Sequence, residues 1–452
     1  MVVTSSHTEI TKQVADYISA AKPSDLPESV YREARRSFIN FLGCTIGGSR
    51  HEVVNITDRT LAEFAGQPQA TIIGRGRRSD ILLASLMNCL SSSVLAFDDT
   101  HAEAIVHPSG PVAAAILALA ERKPIGGPDF LLAFVLGVET VCRLSKAVSV
   151  APARGIIAWN QTGITGGIGA AVAAGKLLGL DARGLCSAIG IAASQASGLR
   201  VMHGSMCMSL MPAQAAQNGL RAALLAAGGF TSSEHSIEGT HGFASVFAEH
   251  PDLLALARGL GESFEILSNT YKPYPCGIVI HHIIEACLRL KTDRNLDHRA
   301  VDRVRIRANP KALALTDRRH PRDSLDAQVS LYHWAAVSIV HGAARIAEGS
   351  EDRIRDPAVA ALRDRIDACS DPSVLPDSAE VSVLLQDGEI VSQNVEHCIG
   401  SVAKPMTDRE LERKFRDLAE GVIGLRKTET LLESCWQLDT LEDAGAIASA
   451  AA

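Results

Sequence analysis

Ten consecutive positions, Asp98 to His107, hold two carboxylates, a hydroxyl and two imidazoles: Asp98, Asp99, Thr100, His101 and His107. Side chains of these types can take a proton from carbon and pass it on, because carboxylates and imidazoles titrate near working pH once their surroundings tune them. The segment His107-Pro108-Ser109-Gly110-Pro111 then opens an alanine-rich stretch without charge. Proline is tolerated in a first helical turn, and Ser109 or Gly110 can cap. His107 is therefore expected at a helix N-terminus, where free N–H groups and partial positive charge suit a substrate carboxylate. The uncharged helix body packs, and the chemistry is confined to its mouth. Capping and ordinary structural duty are the competing uses of these residue types. A metal site built on His101, His107 and Asp98 or Asp99 is disfavoured, since ligand sets usually come with tighter i, i+4 spacing.

Two further clusters bear on the same chemistry. In NTYKPYPCGIVIHHIIEA, Lys272 and Tyr274 lie in a proline-stiffened segment at an expected domain junction. A cation there can neutralise a second carboxylate. His281 and Glu285 follow on one helix face at i, i+4, with core packing as the plainer use of His281. In VMHGSMCMSLMPAQAAQ, four methionines fall within ten residues. Met206, Met208 and Met211 are expected to form an apolar cavity wall, and His203 to face the cleft.

The elements that must hold these residues are mostly helices. From about residue 8 to 265, helix-forming runs at amphipathic spacing are broken by GG, PIGG, KPSD and AAGGF, and strand signals are nearly absent. Gly and Ala on apolar faces, as in GGIGAAVAAGKLLGL, let helix axes approach closely. The texture changes after SNTYKPYPCG. Residues 302–308 alternate with period two, placing Arg303, Arg305 and Arg307 on one strand face and Val304 and Ile306 inward. The stretch AEVSVLLQDGEIVSQNVE contains Asp387-Gly388 at a hairpin tip. Residues 324–364 between them read as helical. Thr407 and Glu410 have capping-box spacing and open a helix that returns to the first domain. The expected fold class is mostly α. A large all-helical domain spans residues 1–268, with 402–452 returning to it, and a smaller α+β lid domain spans 269–401. The site is expected in the cleft between them.

Composition narrows the partners. A net charge of −7 and 4% aromatic content provide neither a basic surface for phosphate backbones nor stacking platforms, so no nucleic acid is expected. The longest apolar runs, near 111–120 and 163–175, are short and rich in Gly and Ala, so no membrane span is expected. Ten cysteines form no CxxC, and the closest pair, Cys276 and Cys287, is eleven apart. Without a secretory leader they read as free thiols in a reducing cytoplasm. GAAVAAGKL fails as a phosphate loop, with five intervening residues instead of four and Leu177 where a magnesium-binding Ser or Thr belongs. GITGGIGAA lacks the spacing and the preceding strand of a dinucleotide fingerprint.

Taken in order, FDDTHAEAIVHPSGPVAAAILALAE, GKLLGLD, GIAASQASGL, AAQNGLRAALLAAGGFT, GTHGF, YKPYPCGIVIHHIIEA and KPMTDRELERKF lie between residues 96 and 415. Together they resemble the MmgE/PrpD family, which includes 2-methylcitrate dehydratases, cis-aconitate decarboxylases and iminodisuccinate epimerases. The resemblance implies a large helical domain built from both chain ends, an α+β lid and a homodimer. It also implies cofactor-free, metal-free proton transfer beside a carboxylate of a small di- or tricarboxylate. It carries Asp98 or Asp99, Thr100, His107 and Lys272 over as active-site residues.

The departures from that resemblance are specific. Asn160 stands where decarboxylase relatives have a histidine, and Met208 and Met211 stand where they have lysine and histidine. Gly277 replaces another histidine, and His333, beside Tyr332, falls where a tyrosine is expected. With these sockets altered, the resemblance points away from cis-aconitate decarboxylation. The expected activity is that of a 2-methylcitrate-dehydratase-like lyase eliminating water from a small di- or tricarboxylate. His107 is the first expected base, with Asp99 orienting it or acting in its place, and Lys272 and the helix end hold the carboxylate. Thr100, His101 or His333 is expected to deliver a proton to the leaving hydroxyl. Tyr274, Asn160, Met208 and Ser109 complete the expected binding surface. The alternatives are an epimerase of a dicarboxylate and an inactive carboxylate-binding homologue.

Overall fold

A computed structural model describes residues 9–452. One hydrophobic core gathers side chains from Ile10 to Tyr271 and again from Met406 to Ala451, together with Leu325. A second gathers side chains from Cys276 to Cys398. In the first, the helix Gln161–Leu177 lies against Gly127–Ser149 and Cys207–Ala227. Its glycines are there for contact: a Cβ on Gly169 would stand 2.3 Å from Val141 Cγ2 and 2.6 Å from the Gly137 carbonyl. The run that superficially suggests a phosphate loop is a helix-crossing surface.

The chain does return to the first core. Thr407 and Glu410 form the expected capping box at the start of the helix Asp408–Ile423. That helix packs on Glu28–Gly48, and a Cβ on Gly47 would come 2.6 Å from Leu418 Cδ2.

The second core sits under a four-stranded sheet of order Ile390–Val395, Ala379–Leu385, Val301–Ala308 and Ile366–Ser370. The last pair is parallel and the others antiparallel. Val304 and Ile306 are fully buried, while Arg303 and Arg307 face outward to Asp367 and Asp371 at 2.7 Å each. The hairpin turns at Gly388, which takes a φ of +89° that suits glycine. Residues 324–364 are largely helical, including Leu331–His341.

The nearly strand-free reading of residues 8–265 needs correction. A hairpin joins Ala70–Ile72 to Arg77–Ser79, and Thr100–His101 pairs antiparallel with Asn269–Thr270. Arg154–Gly155 likewise pairs with Ala248–His250. Two- and three-residue pairs are too short to show a period-two pattern. Among the described residues, no helix is long and apolar enough to cross a membrane.

Candidate active site

The short pairing of Thr100 with Thr270 is what assembles the site. Extending that antiparallel register by two residues sets Asp98 opposite Lys272, although 174 positions separate them in the chain. Ala96 and Ile105, on either side of this strand, both hold left-handed backbone at a φ of 49°. Such conformations cost about 1–3 kcal/mol each for a residue with a Cβ. Both residues line the same hollow, which encloses about 850 Å³ including its open mouth.

Asp98, His107 and Lys272 line that hollow together. Lys272, only 2% exposed, donates from Nζ to the Asp98 carboxylate at 3.0 Å and to the Ala96 carbonyl at 3.1 Å. An ammonium has three donors, so one is left for a ligand. Burial raises the Asp98 carboxyl, but the neighbouring His107 and Lys272 outweigh it and hold the group below the usual carboxylate value. Asp98 is thus an anion that fixes the lysine.

His107 lies two residues before the start of the helix Ser109–Ala120, and its main-chain N–H donates to Thr162 Oγ1 at 3.0 Å. Its Nδ1 lies 2.7 Å from the Asp99 carbonyl. A carbonyl only accepts, so Nδ1 carries the proton and Nε2 carries the lone pair. Thr100 Oγ1 sits 3.1 Å from the same Nδ1. Burial disfavours the imidazolium and holds His107 below its ordinary value, against a smaller opposing pull from Asp98. The result is a neutral imidazole in a fixed tautomer beside an ammonium.

Several expected residues are placed elsewhere. Asp99 is turned inward, where its Oδ2 accepts from Ser109 Oγ and Asn269 Nδ2 at 2.5 Å each. Burial pushes its carboxyl up to about 6 despite those bonds. Ser109 therefore holds Asp99 and neither caps the helix nor lines the hollow. Thr100 is fully buried behind His107. His101 faces away, with Nε2 2.9 Å from Glu265, which also binds Lys146.

His333 is buried in the second core with Nε2 2.8 Å from the Glu348 carbonyl, and Tyr274 stacks edge-on against His281. Neither lines the hollow. Of the three methionines, Met208 is on its wall, Met211 is buried beneath Gly198 and Met206 is exposed. Asn160 lines the hollow, with Oδ1 accepting from Gly163 N at 2.8 Å and one of the two Nδ2 hydrogens donated to His203 at 3.0 Å.

Other residues at the site went unread in the sequence. Arg200 and Gln328 are on its wall, as is His203, the histidine expected to face the cleft. Arg200 had a signal: it is the one Asp, Glu, Lys or Arg between Arg183 and Arg221. Lys414, from the returning helix, donates to Asn40 Oδ1 at 2.7 Å and to the carbonyls of Phe97 and Lys272 at 2.7 and 2.9 Å. It pins the main chain beside both members of the Asp98–Lys272 pair. Burial pulls its ammonium down to about 8.

This arrangement is a desolvated base and cation at a shared hollow, the equipment for removing a proton beside a carboxylate. The model of the MmgE/PrpD N-terminal domain matches residues 12–254, and that of the MmgE/PrpD C-terminal domain matches residues 274–438. The chain belongs to the MmgE/PrpD family. Over 98% of both chains it is 27% identical to a cis-aconitate decarboxylase-like protein of Aspergillus oryzae. It is 26% identical to the human cis-aconitate decarboxylase, over 96% of this chain and 92% of that one. The cis-aconitate decarboxylase of Aspergillus terreus is also 26% identical, over 96% and 94%.

Proposed function

We propose that this protein is a carbon–oxygen lyase that removes water from a small carboxylate carrying a hydroxyl one carbon further on. The observation that carries the reading is the 2.7 Å bond from His107 Nδ1 to the Asp99 carbonyl, which leaves Nε2 as a bare base at a hollow that Lys272 also lines. Nε2 takes the proton from the carbon next to the carboxylate. The Lys272 N–H left over by Asp98 and Ala96 stabilises the negative charge that grows on that carboxylate. The carbon–oxygen bond then breaks as the double bond forms.

The acid for the leaving hydroxyl differs from the expected one. Thr100, His101 and His333 do not reach the hollow, so the His107 imidazolium returns its proton to the departing oxygen. Hydrogen and hydroxyl leave as water, and His107 ends as it began. A single group working on one face suits elimination better than epimerisation, in which the proton must come back on the opposite face.

The observation on the side of an epimerase is the second imidazole, His203. Incubation with candidate hydroxy acids in deuterated water separates the two. Loss of water, with or without label at the acidic carbon, supports the lyase. Exchange with inversion and no loss of water overturns it in favour of the epimerase.

A further inference from the structure

Two buried polar atoms of residues on the wall of the hollow have no partner among the described residues: Arg200 Nε and Gln328 Oε1. Arg200 is not a loose surface side chain. Its N–H donates to the Ala158 carbonyl at 2.8 Å, and Asn160 N donates to the Gly198 carbonyl at 3.0 Å, so residues 198–200 are strapped to residues 158–160. Its Nη2 holds the Trp159 carbonyl at 3.1 Å. No carboxylate of the described residues offsets the burial that disfavours the guanidinium's charge. An arginine cannot shed its proton to relieve this, and a partly desolvated, unpaired cation is costly. A carboxylate completes it, since the guanidinium fork matches two carboxylate oxygens.

Gln328 poses the opposite requirement. Its Nε2 donates to the Val94 carbonyl at 2.9 Å. A carbonyl accepts only, so the amide orientation is fixed and Oε1 is the buried end without a donor. A ligand group that reaches it must donate a hydrogen bond. His203 adds a neutral donor and no charge: Asn160 Nδ2 donates to its Nε2, and burial brings the ring down to about 4. Met208 supplies only an apolar wall. The hollow therefore offers two cations, Lys272 and Arg200, and one orphaned acceptor.

We infer that the substrate is a hydroxydicarboxylate, with one carboxylate at Lys272 beside His107, the second on Arg200, and the hydroxyl donating to Gln328 Oε1. This rests on the elimination proposed for the same site and adds the class of compound it acts on. Arg200 is a binding residue here, and Gln328 positions the hydroxyl that leaves.

Calorimetric binding to the full chain carrying His107→Asn, which blocks turnover, tests it with malate, citramalate, succinate and 3-hydroxybutyrate as probes. Malate or citramalate is expected to bind at least ten-fold more tightly than succinate, which lacks the hydroxyl, or 3-hydroxybutyrate, which lacks the second carboxylate. Adding Arg200→Gln should bring malate down to the level of 3-hydroxybutyrate, and Arg200→Lys should retain part of the difference because the charge survives. Adding Gln328→Leu should erase the advantage of malate over succinate and leave succinate unchanged.

The inference is overturned if neither hydroxy acid binds at millimolar concentration. It is overturned equally if Arg200→Gln and Arg200→Lys bind malate like the parent, or if Gln328→Leu keeps the preference. Proton exchange in deuterated water by the otherwise unaltered His107→Asn protein tests the elimination separately. Persisting exchange removes His107 as the base and leaves the binding preferences to be read on their own.

Discussion

His101 and His107 lie six residues apart, at the two ends of one turn closed by the His101–Val106 pairing, yet they have opposite surroundings. His101 is 1% exposed and bonded to Glu265, whose carboxyl burial would raise but which His101 and Lys146 pull down to about 2. His107 bonds only through Nδ1 and keeps Nε2 free on the wall of a hollow. What a ring nitrogen finds within reach decides whether a histidine is a strut or a base. The comparison breaks most visibly at turnover. His107→Asn should lower kcat by about 10²–10⁴, the usual worth of a general base. His101→Asn should stay within about five-fold and instead lose about 1–3 kcal/mol of stability in denaturant melts, the cost of unsatisfied buried partners. If His101→Asn abolished turnover with its fold intact, the two roles would have to be exchanged.

The next largest effect concerns the ion pair that flanks His107. Lys272→Met leaves the Asp98 carboxylate buried without its cation, which costs about 3–5 kcal/mol. It should also remove most of kcat/KM. The double variant Asp98→Asn, Lys272→Met should regain stability without regaining turnover, which separates the structural duty of the lysine from the chemical one. Asp98 also sharpens the contrast through pH. The base must be neutral, so kcat/KM should rise with pH through a His107 value that burial holds below 6.5. Asp98 raises that value, so Asp98→Asn should move the rising limb to lower pH and weaken the base. A limb that does not move would mean that His107 is not the group being titrated.

Much of this site can be read in the sequence because it is local. Asp98, Thr100 and His107 converge because one turn joins them, and the charge-free helix that follows announces a packed body with a polar mouth. The alternation of Val304 and Ile306 with arginines and the Asp387-Gly388 turn likewise declare themselves within a few residues. What the sequence hides is pairing over distance. The register that sets Lys272 against Asp98 rests on a two-residue strand, too short for any periodicity. Nothing local distinguishes His333, closed on Glu348 in the second core, from a histidine at a cleft. Lys414 looks like one more charge on an amphipathic helix until its three acceptors are seen. The orphaned Oε1 of Gln328 likewise follows only from where Val94 places its carbonyl.

Asp99 offers the smallest and most discriminating test, because it is the neighbour of Asp98 and yet faces the opposite way. Its Oδ2 receives Ser109 and Asn269 in a buried pocket, and burial raises its carboxyl to about 6. A group whose folded value is raised contributes stability that is full below its unfolded value near 3.8 and is lost as pH rises through about 6. Moving the carboxyl from 3.8 to about 6 corresponds to at most about 3 kcal/mol at neutral pH. Asn in its place keeps an acceptor for Ser109 and Asn269 and carries no charge to bury. Asp99→Asn should therefore match the parent near pH 4 and become the more stable of the two by about 1–3 kcal/mol at pH 7, read from denaturant midpoints at successive pH values. Its turnover should remain within a few-fold, because the group that orients His107 is the Asp99 carbonyl and not its carboxylate. A stability gap that is flat with pH would mean that Asp99 ionises as freely in the fold as outside it. A collapse of turnover as deep as that of His107→Asn would place the inward carboxylate in the chemistry and dissolve the division between the two faces of the turn.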